Sequence, residues 1–136
     1  MDDMEIFRDE HRQIAGLMNR FGDMLAEATP PEPLAFLHFR REFGRALNHH
    51  LKREDWMLYP RLRASPRPEV RNMAERLCTE IGAFEAAFAV YGRRWTSARI
   101  CADWAQYRRE SEAMILGLHR RILLEEQELY PLVDCA

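Results

Sequence analysis

Apolar residues recur at alternating steps of three and four along four stretches of the chain. The first stretch, about residues 3–27, lines up Phe7, His11, Ile14, Met18, Phe21 and Leu25. The second, about 33–63, lines up Phe36, Phe39, Phe43, Leu47, His50, Glu54 and Met57. The third, about 69–95, carries Val70, Met73, Leu77, Ile81, Phe84, Phe88, Tyr91 and Trp95. The fourth, about 98–133, carries Trp104, Tyr107, Ser111, Met114, Leu118, Glu125 and Leu129. This rhythm is that of helices burying one face against neighbours. Proline sets two of the boundaries, with Pro30, Pro31 and Pro33 before the second stretch and Pro66 and Pro68 before the third. Proline fits the first turn of a helix but not its interior. A softer break falls at 93–97, where Thr96 or Ser97 can cap the next helix. β-branched runs are absent and glycine is scarce, so strands are not expected. Short connections favour antiparallel neighbours, and the expected fold is all-α, an up-down-up-down antiparallel four-helix bundle. Residues 1–136 are expected to form a single domain of this kind.

Charge and cysteine content narrow the partners. The formal net charge is −2, which leaves no basic footprint for nucleic acid. No apolar run approaches membrane-spanning length. The start of the chain, MDDMEIFRDEH, is acidic and already amphipathic, unlike a signal or transit peptide. Cys78, Cys101 and Cys135 form no CxxC and are odd in number. They read as thiols in a reducing cytoplasm rather than as structural disulfides.

Four stripe positions are ionisable: His11, His50, Glu54 and Glu125. A buried carboxylate needs a partner. His50 and Glu54 are four residues apart and therefore lie one above the other on one helix face. Metal sites in bundles are assembled in this way, from His and Glu projecting inward from several helices. A metal-free buried polar network would use the same positions, and the spacing alone leaves both open. The second stretch ends E-D-W-M-L-Y-P from Glu54, and the fourth ends E-E-Q-E-L-Y-P from Glu125. The repeat places the two carboxylates at similar depth on two helices running the same way. Its L-Y-P part reads as a helix ending in which leucine and tyrosine close the core.

With these residues the chain resembles the hemerythrin-like, HHE cation-binding family. The likeness rests on His11-Arg12-Gln13-Ile14, on His50-Leu51-Lys52-Arg53-Glu54 running on to Tyr59-Pro60, and on the Glu125 to Pro131 repeat. The resemblance implies a di-iron centre between four helices. One iron would take histidines from the first two helices and the other from the third and fourth, with carboxylates bridging. His11, His50, Glu54 and Glu125 match one iron's histidines and the two bridges. The second iron's ligands do not match. The third helix of the family carries a Glu-His pair where this chain has Glu80-Ile81, with Leu77 one turn earlier. The fourth carries a histidine four residues before the bridge, where this chain has Arg121. Glu80, Glu85 and His119 are the substitutes available for a second ion. His119 lies six residues before Glu125, on the flank of its stripe, and His38 and His49 lie off the core face.

Two functions are therefore expected to compete. The first is a hemerythrin-like cation-binding protein, binding or sensing O2 or redox state through an incomplete di-iron site that holds one iron rather than two, or zinc. The alternative is a metal-free regulatory or interaction bundle, acting through a protein partner or homodimer. In it Arg121 replaces a metal ion by pairing with Glu54 and Glu125 through its fork of donors. The third-stretch aromatics Phe84, Phe88, Tyr91 and Trp95 read first as core and second as an interface. No nucleophile–base pair or phosphate loop marks an enzyme, and peroxide or oxidase chemistry enters only if iron binds.

Overall fold

The structure, a computed structural model, describes residues 3–134. It is helical throughout, with no strand among the described residues. Helix α1 spans Asp3–Leu25. Helix α2 spans Pro33–Arg53, passes through a π-helical turn at Glu54–Leu58 and continues as α3, Tyr59–Arg63. Pro33 occupies its first turn, and the Glu32 carboxylate accepts from the Leu34 and Ala35 backbone N–H groups. Such a cap satisfies donors that the first turn leaves without partners. Helices α4 (Pro68–Ile81) and α5 (Phe84–Arg94) form the third rod. Helices α6 (Ser97–Ala102) and α7 (Trp104–Leu124), a second π turn at Glu125–Leu129 and α8 (Tyr130–Asp134) form the fourth.

Two breaks depart from the expected continuous helices. The third rod interrupts at Gly82, where a Cβ would collide with the Cys78 carbonyl, so the tightened turn admits only glycine. The fourth rod restarts at Asp103, whose side chain accepts from the Gln106 N–H. Thr96 caps α6 in the same way, as its position suggested.

The π turns follow from the repeated tyrosine-proline pairs. A proline in a helix has no N–H for the carbonyl four residues back, and its ring clashes there. Widening the turn relieves this, and the Tyr59 and Tyr130 N–H groups bond five residues back, to Glu54 and Glu125. The L-Y-P segments thus do not end their helices. They carry the chain past the two carboxylates with one extra residue, a device frequent at functional sites.

The core is divided. One apolar cluster gathers Ile14, Phe21, Phe39, Phe43, Trp95 and Tyr107 toward one end. The other gathers Met4, Phe7, Leu58, Leu77, Ile81 and Leu129 toward the opposite end. The ionisable stripe residues fall between these two clusters.

Candidate metal centre

His11, His50, Glu54, Arg121 and Glu125 are all buried in the layer between the apolar clusters. One ligand atom from each of His11, His50, Glu54 and Glu125 can be chosen so that all four lie within 4.8 Å of one another. His11 Nε2 is 3.1 Å from Glu125 Oε1, and His50 Nε2 is 3.0 Å from Glu54 Oε1. Ligand atoms around a tetrahedral zinc, bonded at about 2.0–2.2 Å, would stand roughly 3.4 Å apart. The widest separation would therefore have to close by about 1.4 Å for the set to hold an ion. His50 Nε2 is buried with no aligned hydrogen-bond partner despite its nearness to Glu54. A cation could be coordinated by this nitrogen once it gives up its proton.

Both imidazoles are held from behind. His50 Nδ1 is 2.8 Å from Glu10, which also accepts from Arg53 at 2.9 Å. His11 Nδ1 is 2.8 Å from Glu126. A carboxylate on Nδ1 fixes a ring's orientation and directs Nε2 at the centre. Two tyrosines cross the layer in opposite senses: the Tyr59 hydroxyl donates to Glu125 at 2.8 Å and the Tyr130 hydroxyl to Glu54 at 2.7 Å. The π turns place these tyrosines on the same inner face as the carboxylates that precede them by five residues.

Arg121 stands four residues before Glu125, as His50 stands four before Glu54. It is 1% exposed. Its Nη2 donates to Asp55 at 2.7 Å and to Glu54 at 3.3 Å, and its Nε lies 3.5 Å from Glu125. Glu125 thus turns one oxygen toward His11 and the other toward Arg121 and Tyr59. On the third rod, the facing residues Leu77 and Ile81 are buried and offer no ligand atom. The layer has a donor-rich half on α1 and α2, and a half closed by an arginine and aliphatic side chains.

The charges are strongly coupled. Burial pulls the His50 imidazole down, but the Glu54 charge and then the Glu10 hydrogen bond outweigh it, holding its pKa up at about 10. Burial works to raise Glu54, yet His50 and then Arg121 carry it down to about 2. Glu125 is pushed up to about 7 by burial and then by the neighbouring Glu54 charge, against His11 and Arg121. Burial and then the two carboxylates hold Tyr59 and Tyr130 well above the usual phenol range, so both remain donors. Glu10 keeps its charge: burial pushes it up, and His50 more than reverses that.

The substitutes for a second ion are not brought into the cluster. Glu80 is exposed and pairs with Arg76 and Arg120, and His119 is exposed on α7. Glu85 is half-buried beside Asp55, raised first by burial and then by that hydrogen bond, one step outside Arg121. His38 and His49 lie off the core face, His49 exposed and standing 3.7 Å from Glu10. Sequence reasoning missed Glu10, Glu126, Tyr59, Tyr130 and Asp55. Each adjoins a stripe residue or comes after a carboxylate at the π spacing, which was the signal available.

The interior of this helical bundle brings two histidines and two carboxylates from three rods into a group that could hold a cation, an arrangement from which metal sites in bundles are built. Comparison with protein families matches residues 2–133 to the hemerythrin HHE cation binding domain, and the chain belongs to that family. No curated protein and no solved structure matches it at a comparable level.

Replacing Glu10 by glutamine should weaken zinc binding about 10–100-fold, because His50 loses the anion that orients it. Competition against a chelator of known affinity measures this. A change of less than about two-fold would mean that the Glu10–His50 contact does not support a metal ligand.

Proposed function

We propose that this is a one-cation hemerythrin-like protein. His11, His50, Glu54 and Glu125 hold a single iron or zinc ion, and Arg121 stands in the place of a second. The observation that carries this reading is the convergence of four buried ligand atoms within 4.8 Å, backed on one side by a buried arginine. Imidazole and carboxylate suit either metal, and bound iron would supply redox and O2-binding chemistry there. The chain's own groups define what such an ion would meet. Glu10 and Glu126 orient the histidines, and Tyr59 and Tyr130 hold the carboxylates. Arg121 Nη1, buried without an acceptor, offers a donor to a small acceptor entering the layer. The role is binding or sensing of a small ligand rather than turnover. The free thiols Cys78 and Cys101 fit a cytoplasmic setting, Cys135 lies outside the described residues, and no helix among those described is long and apolar enough to cross a membrane.

A metal-free regulatory bundle is the second reading. It is favoured by the charge balance, since Arg121 and a protonated His50 already face the two carboxylates. Proton release separates the two. Without metal, Glu54 contributes stability above its ordinary 4.5 that is lost as pH falls toward about 2. Glu125, raised from 4.5 to about 7, contributes below 4.5 and loses this as pH rises through 7. His50, raised from 6.5 to about 10, contributes fully below 6.5 and loses this as pH rises toward 10. The metal-free protein should therefore be most stable near about pH 5 and weaken on the alkaline side. Metal uptake has the opposite dependence, because ligands must lose protons. At pH 7 each zinc ion should displace about one to two protons, chiefly from His50. Calorimetry in two buffers of different ionisation enthalpy reads that number. Saturable binding with no buffer dependence would place the ion elsewhere, and no binding would favour the metal-free reading.

A further inference from the structure

A second cavity lies at the other end of the bundle, between α2 and α5. Its volume is about 330 Å³, within the range of small-molecule pockets. Phe21 forms part of its wall ten residues beyond His11 on α1, about 15 Å along the helix from the metal layer. It is therefore independent of that centre.

Three features of the lining point the same way. The walls are aromatic, with Phe43, Phe88, Tyr91, Trp95 and Tyr107 among them. Both lining glycines, Gly44 on α2 and Gly92 on α5, have room beside them, since a Cβ on either would meet no atom within 4 Å. Its charged lining residues are all basic. Arg41 and Arg93 line the mouth, exposed, and neither forms an ion pair among the described residues. No aspartate or glutamate lines the cavity. Guanidinium groups pair best with planar carboxylates, and flat rings pack well against aromatic walls.

We propose that this cavity binds a small aromatic monocarboxylate, its ring between the aromatic side chains of α2 and α5 and its carboxylate at the Arg41 and Arg93 guanidinium groups of the mouth. A neutral ring of the same shape fills the walls but gains no ion pair at the mouth. A second copy of the chain is the competing occupant. Against it, the opening carries unpaired arginines rather than a flat apolar rim.

The test uses the full chain and two probes, 2-naphthoate and the neutral 2-naphthalenemethanol, with calorimetry for affinity and the Trp95 indole N–H resonance for location. The expected result is saturable 2-naphthoate binding, at least about ten-fold tighter than the neutral probe. The Trp95 resonance should shift with the naphthoate. Gly44→Leu and, separately, Gly92→Leu should fill the space and abolish binding without lowering the melting temperature, since leucine favours helix over glycine. Arg93→Gln should weaken 2-naphthoate several-fold and leave the neutral probe unchanged. Equal affinity for both probes would overturn the anion assignment. Absence of saturable binding at millimolar concentration, or binding unaffected by both leucine variants, would overturn the site. A concentration-dependent dimer that Gly44→Leu abolishes would show the cavity to be a self-association surface instead.

Discussion

Arg121→Ala should destabilise the metal-free protein by about 3–5 kcal/mol, the usual cost of removing one partner from a buried ionic group. For a domain of this size that is a fall of roughly 10–20 °C in melting temperature. Glu54 and Glu125 would then face each other without the guanidinium that now contacts both. Asp55 would lose its 2.7 Å donor as well. Glu125, already raised to about 7, should climb further, because Arg121 would no longer oppose burial and the Glu54 charge and only His11 would hold it down. Thermal melts of chelator-treated parent and variant decide this. If the variant melts within a degree or two of the parent, Arg121 is not neutralising the carboxylates and its assignment as a fixed cation fails.

The second large effect is a gain rather than a loss. Arg121→His with Ile81→His restores, on the third and fourth rods, the residue types that the family resemblance implies for a second ion. Arg121 is buried and contacts both carboxylates, and Ile81 is buried on the rod facing the layer, so both imidazoles would start from interior positions. The double variant should bind two metal ions per chain where the parent binds one. With iron and oxygen, it should also gain absorption that the parent lacks. A double variant that folds and still binds one ion would show that more than these two side chains closes the second half-site. Ile81→His alone is the control: with Arg121 retained, the positive charge should keep a second ion out.

How much of this was legible in the sequence depends on whether a residue sits within the ordinary helical rhythm. His11, His50, Glu54 and Glu125 were readable because each occupies an apolar stripe, where an ionisable side chain needs an explanation. Arg121 was readable through its place four residues before Glu125, and its contacts with Glu54 and Glu125 follow from that register. Glu10 and Glu126 sit beside stripe residues, where acidic side chains usually face water, and only the folded geometry turns them onto the imidazoles. Tyr59 and Tyr130 escaped for another reason. The π turns replace the 3.6-residue period locally, so a tyrosine five residues past each carboxylate returns to the inner face. The break at Gly82 was hidden because the apolar stripe runs on from Ile81 to Phe84, and the one at Asp103 because it falls just ahead of Trp104, the first residue of the fourth stripe.

The central claim is that the layer holds one cation, with Arg121 in place of another. Elemental analysis of the protein after anaerobic loading with excess iron(II), or with zinc, and removal of unbound metal tests it most directly. One ion per chain, lost in a His50→Ala variant and unaffected by His119→Ala, is the predicted result. Two ions per chain in the parent, or none, would contradict it.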